Sequence, residues 1–320
     1  MVWKRLADPR FGLANRISDA MSALEWREPD SLFDVRQSPE VVLACDFAGA
    51  HAEARYEAFA FLLGATNQAG AWMMQREQVR ERLLRGRGEV SYKGLNDMRR
   101  QRALAPFLMT ANLFPANLVV VMVSKNLKRL FDNPGDQVLF PELIMAVRNW
   151  NAKSFHRLLL VASLGALLTS GFMGSAQNLL WVTDQDEIAP NPTKHDHAGH
   201  VIHHCLSRYA PALRGLLTFA TTEANVDNSL LRDAVGITDL AAGCLVDTFG
   251  ACERATEGAL WVRPTVTLTR KAEVILDWFA QQGHALRRVV ICLEASDKGA
   301  VDVSVFRPVR ASRGQVFLLR

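Results

Sequence analysis

The chain has 320 residues, 49% of them hydrophobic, with a formal net charge of +4 and a pI near 8.9. That composition supports a large buried core and excludes a disordered chain, while the mild basic balance permits a polyanionic partner without demanding one. Five cysteines (Cys45, Cys205, Cys244, Cys252, Cys292), scattered and never spaced as CxxC, argue against a disulfide framework or a cysteine zinc site and read as reduced thiols of a cytoplasmic protein.

Residues 1–40 mix charged and apolar positions, are broken by Pro9, Pro29 and Pro39, and hold a helix from Asn15 to Trp26. They read as an N-terminal extension, and their early charges argue against a secretory signal. Val41 to Cys45 is an apolar run that ends on Asp46, with Gly49 three residues on, which is the pattern of a buried strand entering an active-site turn. Phe59 to Leu63 is expected to be its hairpin partner. Gln75 to Arg87 reads as a charged helix and Leu95 to Leu113 as another.

Leu118 to Val123 is the strongest strand signal and closes on Ser124 and Lys125. A helix is expected over Pro141 to Val147. Phe155 to Gln177 is an apolar helix broken by Gly165, Gly171 and Gly174; it falls short of a continuous apolar span, so a buried helix is expected and no membrane contact. Leu179 to Thr183 is a short strand that delivers Asp184. The loop Ile188 to His197 leads to a helix from about His200 to Ala210. Leu216 to Thr222 is a strand, Leu231 to Gly250 a helix carrying Asp239, and Lys271 to Gln282 a last helix before the β runs Val289 to Leu293 and Val301 to Phe306.

Strands alternating with helices indicate an α/β fold with a central mixed sheet flanked by helices, a single domain over 41–320 with a C-terminal β-α-β-like elaboration after about residue 250. Three acids, Asp46, Asp184 and Asp239, follow apolar or small-residue runs. Carboxylates converging from strand ends and a helix suit Mg²⁺ or Mn²⁺, which prefer hard oxygen ligands, and two such ions would bracket the scissile phosphodiester. Arg76 to Arg102 carries nine basic and four acidic residues. It reads either as a solvated helical face or as a phosphate-tracking surface, with Arg76, Arg80, Lys93, Arg99, Arg100 and Arg102 as nucleic-acid contacts. Lys125 is a candidate for the scissile phosphate. Trp72, Tyr92 and Trp181 could stack on bases, with core packing the alternative, favoured for Trp181.

The order of strand-Asp46-Phe-Ala-Gly, Glu89-Val-Ser-Tyr-Lys-Gly-Leu, strand-Ser-Lys125, Trp-Val-Thr-Asp184 and Ile-Thr-Asp239-Leu-Ala-Ala-Gly resembles the DUF3800 family over roughly Val41 to Gly250. The resemblance implies an RNase H-like sheet with acids gathered at its centre and a metal-dependent nuclease. Asp46 would match the first-strand aspartate, Asp184 the acid after the late strand, Asp239 the helix acid and Glu89 a glutamate before the middle helix. This chain has Asp-Phe-Ala-Gly where the family has Asp-Glu-Ser-Gly, so an acid and a hydroxyl are missing, with Asp186 or Glu187 as nearby acids to compensate. A chain short of ligands would keep the fold and only bind nucleic acid, a protein partner or a second copy of itself.

The competing centre is histidine-rich: His195, His197, His200, His203 and His204, with Asp196 among them. His200 and His204 share a helical face at a spacing workable for Zn²⁺ and a zinc-dependent hydrolase. The same cluster is otherwise a polar loop and helix start, or the source of a histidine that positions water or phosphate beside Asp184.

Overall fold

The computed structural model describes residues 1–85, 89–127, 130, 150–185, 187–223, 229–250, 252–253, 263–264, 268–296, 300–311 and 315–318. The helix expected over Pro141 to Val147, and Asp186, lie outside the described residues. The helices are α1 (Leu13–Arg27), α2 (Gly70–Val79), α3 (Met98–Ala111), α4 (Ala152–Phe172), α5 (Pro192–Tyr209), α6 (Ser229–Gly250) and α7 (Arg270–Phe279). The strands are β1 (Glu40–Ala48), β2 (Tyr56–Ala65), β3 (Ala116–Ser124), β4 (Asn178–Thr183), β5 (Leu217–Thr221), β6 (Cys252–Glu253), β7 (Arg263–Pro264), β8 (Leu286–Ala295), β9 (Val301–Phe306), β10 (Pro308–Ala311) and β11 (Gln315–Leu318).

Seven strands form one mixed sheet in the order β5-β4-β1-β2-β3-β8-β9. The hairpin signals hold: β1 to β3 pair antiparallel in sequence, while β4 and β5 add in parallel beside β1 after helical crossovers. β8 lies parallel to β3 and β9 closes that side antiparallel, so the C-terminal elaboration extends the same sheet. This is the expected α/β fold, a mixed sheet flanked by helices.

Alternation along the strands divides two cores. Val42, Ala44, Ala60, Leu62, Val120 and Val182 face α2, α3, α6 and α7, whereas Val41, Leu43, Cys45, Phe61, Val121 and Trp181 face α1, α4 and α5. The first forty residues are built into the second core, where Trp3, Phe11, Leu13, Ile17, Met21 and Leu24 are buried. α4 has the length and apolarity of a bilayer span, and 78% of its apolar window is buried inside the protein. Gly165 explains how: a Cβ there would meet the Trp181 indole at 2.3 Å, so only glycine lets this helix lie against the sheet.

One element starts earlier than its sequence pattern suggests. α5 begins at Pro192 because the Asn191 side chain accepts the Lys194 N–H and proline occupies the first turn, where no N–H is needed. The stretch expected to be a loop through His197 is therefore half helix.

Candidate metal and nucleic-acid site

The register of β1 against β4 pairs Cys45 with Thr183, so the next positions, Asp46 and Asp184, leave adjacent parallel strand ends side by side. Neighbouring strands are about 4.8 Å apart. Both aspartates continue the even-numbered face of their strands, the face covered by α6. The turn after Asp46 depends on Gly49, whose φ of +89° and close approach to the Tyr56 carbonyl exclude a side chain. Asp46 Oδ1 accepts the Phe47 N–H at 2.8 Å. Asp184 Oδ1 accepts the Gln185 N–H at 2.9 Å and the Thr222 hydroxyl at 2.5 Å.

α6 brings the third acid. Asp239 is half-buried, and its carboxyl group is hydrogen-bonded to that of Asp46. Burial pushes the Asp239 pKa above the ordinary value, and the nearby charge of Asp184 pushes it further. A hydrogen bond from the Tyr92 N–H, the contact with Asp46 and the charge of Lys271 act the other way. Of the three acids, Asp46 and Asp239 are hydrogen-bonded, and Asp184 acts on Asp239 through its charge. Among the described residues no three His, Cys, Asp or Glu side chains form a ready-made metal cage.

The segment 89–96 straps across α6 above this pair. A Cβ on Gly236 would meet the Val90 carbonyl at 2.7 Å and one on Gly243 the Tyr92 ring at 2.5 Å, so the small residues of α6 form the seat of the strap. Asp239 Oδ2 accepts the Tyr92 N–H at 2.5 Å, Asp247 accepts the Tyr92 hydroxyl at 2.5 Å, and Lys271 donates to the Tyr92 carbonyl at 3.1 Å with its ammonium 4.1 Å from the ring centroid. Burial and the bond to Asp247 push the Tyr92 phenol well above its usual pKa.

Several candidates sit elsewhere. Glu89 is exposed and pairs with Arg232 at 3.6 Å, at the start of α6 and about two helical turns from Asp239. Lys125 does lie at the same end of the sheet as the acids, but on the opposite face, because it continues the odd-numbered positions of β3 that face α4. Its ammonium donates to the His51 carbonyl. Arg76 and Arg80 are corrected outright as surface residues: both are buried and each donates to Asp233 at 2.6 Å, clamping α2 to α6. Lys93, Arg99 and Arg102 are exposed and Arg100 is half-buried beside Gly94, so four of the six expected contacts stay outside the core, on the strap and the first turns of α3.

The aromatic candidates are internal. Trp72 is buried and stacks on Phe114 at 4.1 Å, Trp181 is buried with its indole N–H on the Cys45 sulfur, and Tyr92 is buried in the strap; none presents a face for a base. The histidines lie along α5 on the other face of the sheet. His195 stacks on Phe219 at 4.7 Å, His197 pairs with the Trp150 indole at 3.2 Å, and His200 and His203 are exposed.

Two participants escape sequence reading, Thr222, which holds Asp184 from the end of the neighbouring strand, and Lys271. The only local signal at Lys271 is a lysine in the first turn of a helix, where the dipole favours acids. Comparison with family models, curated proteins and solved structures finds no match to this chain.

Proposed function

We propose that the protein is a Mg²⁺- or Mn²⁺-dependent nuclease on an RNase H-like fold, hydrolysing phosphodiester bonds of RNA, DNA or a hybrid. The observation that carries this reading is the hydrogen-bonded pair Asp46–Asp239 with the charge of Asp184 beside it, at the carboxyl ends of parallel strands β1 and β4. In open α/β sheets that end is where ligands bind. Two carboxyl groups in contact repel unless they share a proton or a cation, and a third charge sharpens that conflict. The donor set is all hard oxygen, and Mg²⁺ needs only one or two carboxylates because it keeps several waters.

Asp46 and Asp239 would hold the ion, with Asp184 the next acid in reach. A bound ion would supply charge neutralisation at the phosphoryl group and an activated water. The chain itself fixes the geometry. The Phe47 and Tyr92 N–H groups orient Asp46 and Asp239, and Thr222 with the Gln185 N–H orients Asp184. Lys93, Arg99 and Arg102 lead away from Tyr92 as an exposed basic path suited to a phosphate backbone. The buried thiols Cys45, Cys205, Cys244 and Cys292 suit a reducing, cytoplasmic setting.

Divalent metal should raise the melting temperature and permit cleavage of a nucleic acid, and Asp46→Asn should abolish both effects. Metal titration that changes neither stability nor cleavage of the wild-type chain defeats this reading. A second reading, a non-catalytic nucleic-acid- or protein-binding subunit, is favoured by the lack of a three-ligand cage among the described residues. It requires salt-sensitive binding that survives Asp46→Asn without any cleavage.

A further inference from the structure

Lys271 acts on Asp239 through its charge, and the proposed function gives it no part in binding substrate. It occupies the first turn of α7, where the helix dipole disfavours a positive charge, so helix stability does not explain it. Its ammonium donates to the carbonyl of Tyr92, and the N–H of that same residue binds Asp239. The two contacts place the ammonium within roughly 10 Å of the Asp239 carboxylate, since the N and O atoms of one residue lie under about 4 Å apart. Lys271 is half-buried, and among the described residues it forms no ion pair. An ammonium has three donors, and the Tyr92 carbonyl takes one. Its charge nonetheless reaches Asp239. A lysine that served only to neutralise the acids would bond to one of them. This one instead stands one peptide away, bonded to the Tyr92 carbonyl and 4.1 Å from the Tyr92 ring centroid.

We propose that Lys271 is a phosphate-contacting residue of this site, its ammonium holding a non-bridging phosphodiester oxygen of a nucleic-acid strand beside the Asp46–Asp239 pair. The proposal rests on the nuclease reading and names the group that receives the substrate.

The test separates charge from scaffolding. Lys271→Gln can still donate to the Tyr92 carbonyl but carries no charge, and Lys271→Arg keeps the charge. Three measurements are made on each full-length chain: the melting curve, the affinity for Mn²⁺ alone, and the affinity for short fluorescein-labelled oligouridylate and oligothymidylate across a salt series. For the Gln variant, Mn²⁺ binding should be unchanged or several-fold tighter, because a repelling cation has gone. Oligonucleotide affinity should fall roughly tenfold or more, with a salt slope shallower by about one. The Arg variant should bind within a few-fold of wild type. A Gln variant that unfolds, or that binds Mn²⁺ more weakly, marks Lys271 as a clamp for the strap and overturns the proposal, as does unchanged oligonucleotide affinity. Wild-type chain that binds Mn²⁺ but neither oligonucleotide also overturns it. If the wild type binds no Mn²⁺, the nuclease reading itself falls and takes the proposal with it.

Discussion

At the scale of single residues, the site is governed by the shared carboxyl contact of Asp46 and Asp239. Because burial and Asp184 raise the Asp239 pKa above its ordinary 3.8, a proton would compete with the proposed divalent ion at pH values where an exposed aspartate is already ionised. Mn²⁺ affinity should therefore climb as pH rises through a range above that value, and level off once Asp239 is ionised. Asp184→Asn removes one of the raising charges. It should move the climb to lower pH while weakening the plateau, which paramagnetic titration of Mn²⁺ over a pH series reads directly. Phe47 bears on the same question. Strand alternation turns its ring to the opposite face, under the Arg157 guanidinium at 5.0 Å. An acid at that position would point away from Asp239, so a phenylalanine there does not deprive the pair of a neighbour.

At the scale of elements, the strap of residues 89–96 and α6 form one unit, since Tyr92 is gripped by Asp239, Gly243, Asp247 and Lys271 together. Gly243→Val puts branched carbon where the Tyr92 ring already lies at 2.5 Å from a Cβ. The overpacking should cost about 1–3 kcal/mol of stability. It should also lift the Tyr92 N–H off Asp239 and so lower Mn²⁺ affinity, a coupled loss visible in a chemical melt and a metal titration of the same variant. Gly70→Ala is the matched control: a Cβ there meets nothing, so metal affinity should hold.

At the scale of the whole molecule, the basic stretch splits into a buried clamp and an exposed path. Neutralising Lys93, Arg99 and Arg102 together should leave the melt unchanged and make the salt dependence of nucleic-acid binding shallower by about two to three in log–log slope. Asp233→Ala should do the reverse. It removes the carboxylate shared by two buried guanidinium groups, at a cost on the order of 3–5 kcal/mol, without altering the salt slope of whatever binding remains. Denaturant unfolding and fluorescence anisotropy distinguish the two.

Much of the fold was legible in the chain alone, because apolar runs of strand length and a helical period in α1, α3 and α6 are local consequences of burial. The same local logic located Asp46 and Asp184, since an acid that ends a buried run emerges near a strand end, whereas Asp239 was marked by the small-residue run of a helix. Tertiary structure alone decided which of the other charges could join them. Arg76 and Arg80 read as surface residues until Asp233, far along the chain, takes both into the core. Lys125 reads as a contact to the scissile phosphate until strand alternation sends it to the other face of the sheet. Lys271 has no motif at all, and only the packing of α7 beside the strap brings its charge to Asp239. Periodicity reports whether a side chain is buried; partners and faces are set by contacts between residues distant in sequence, which no local pattern encodes.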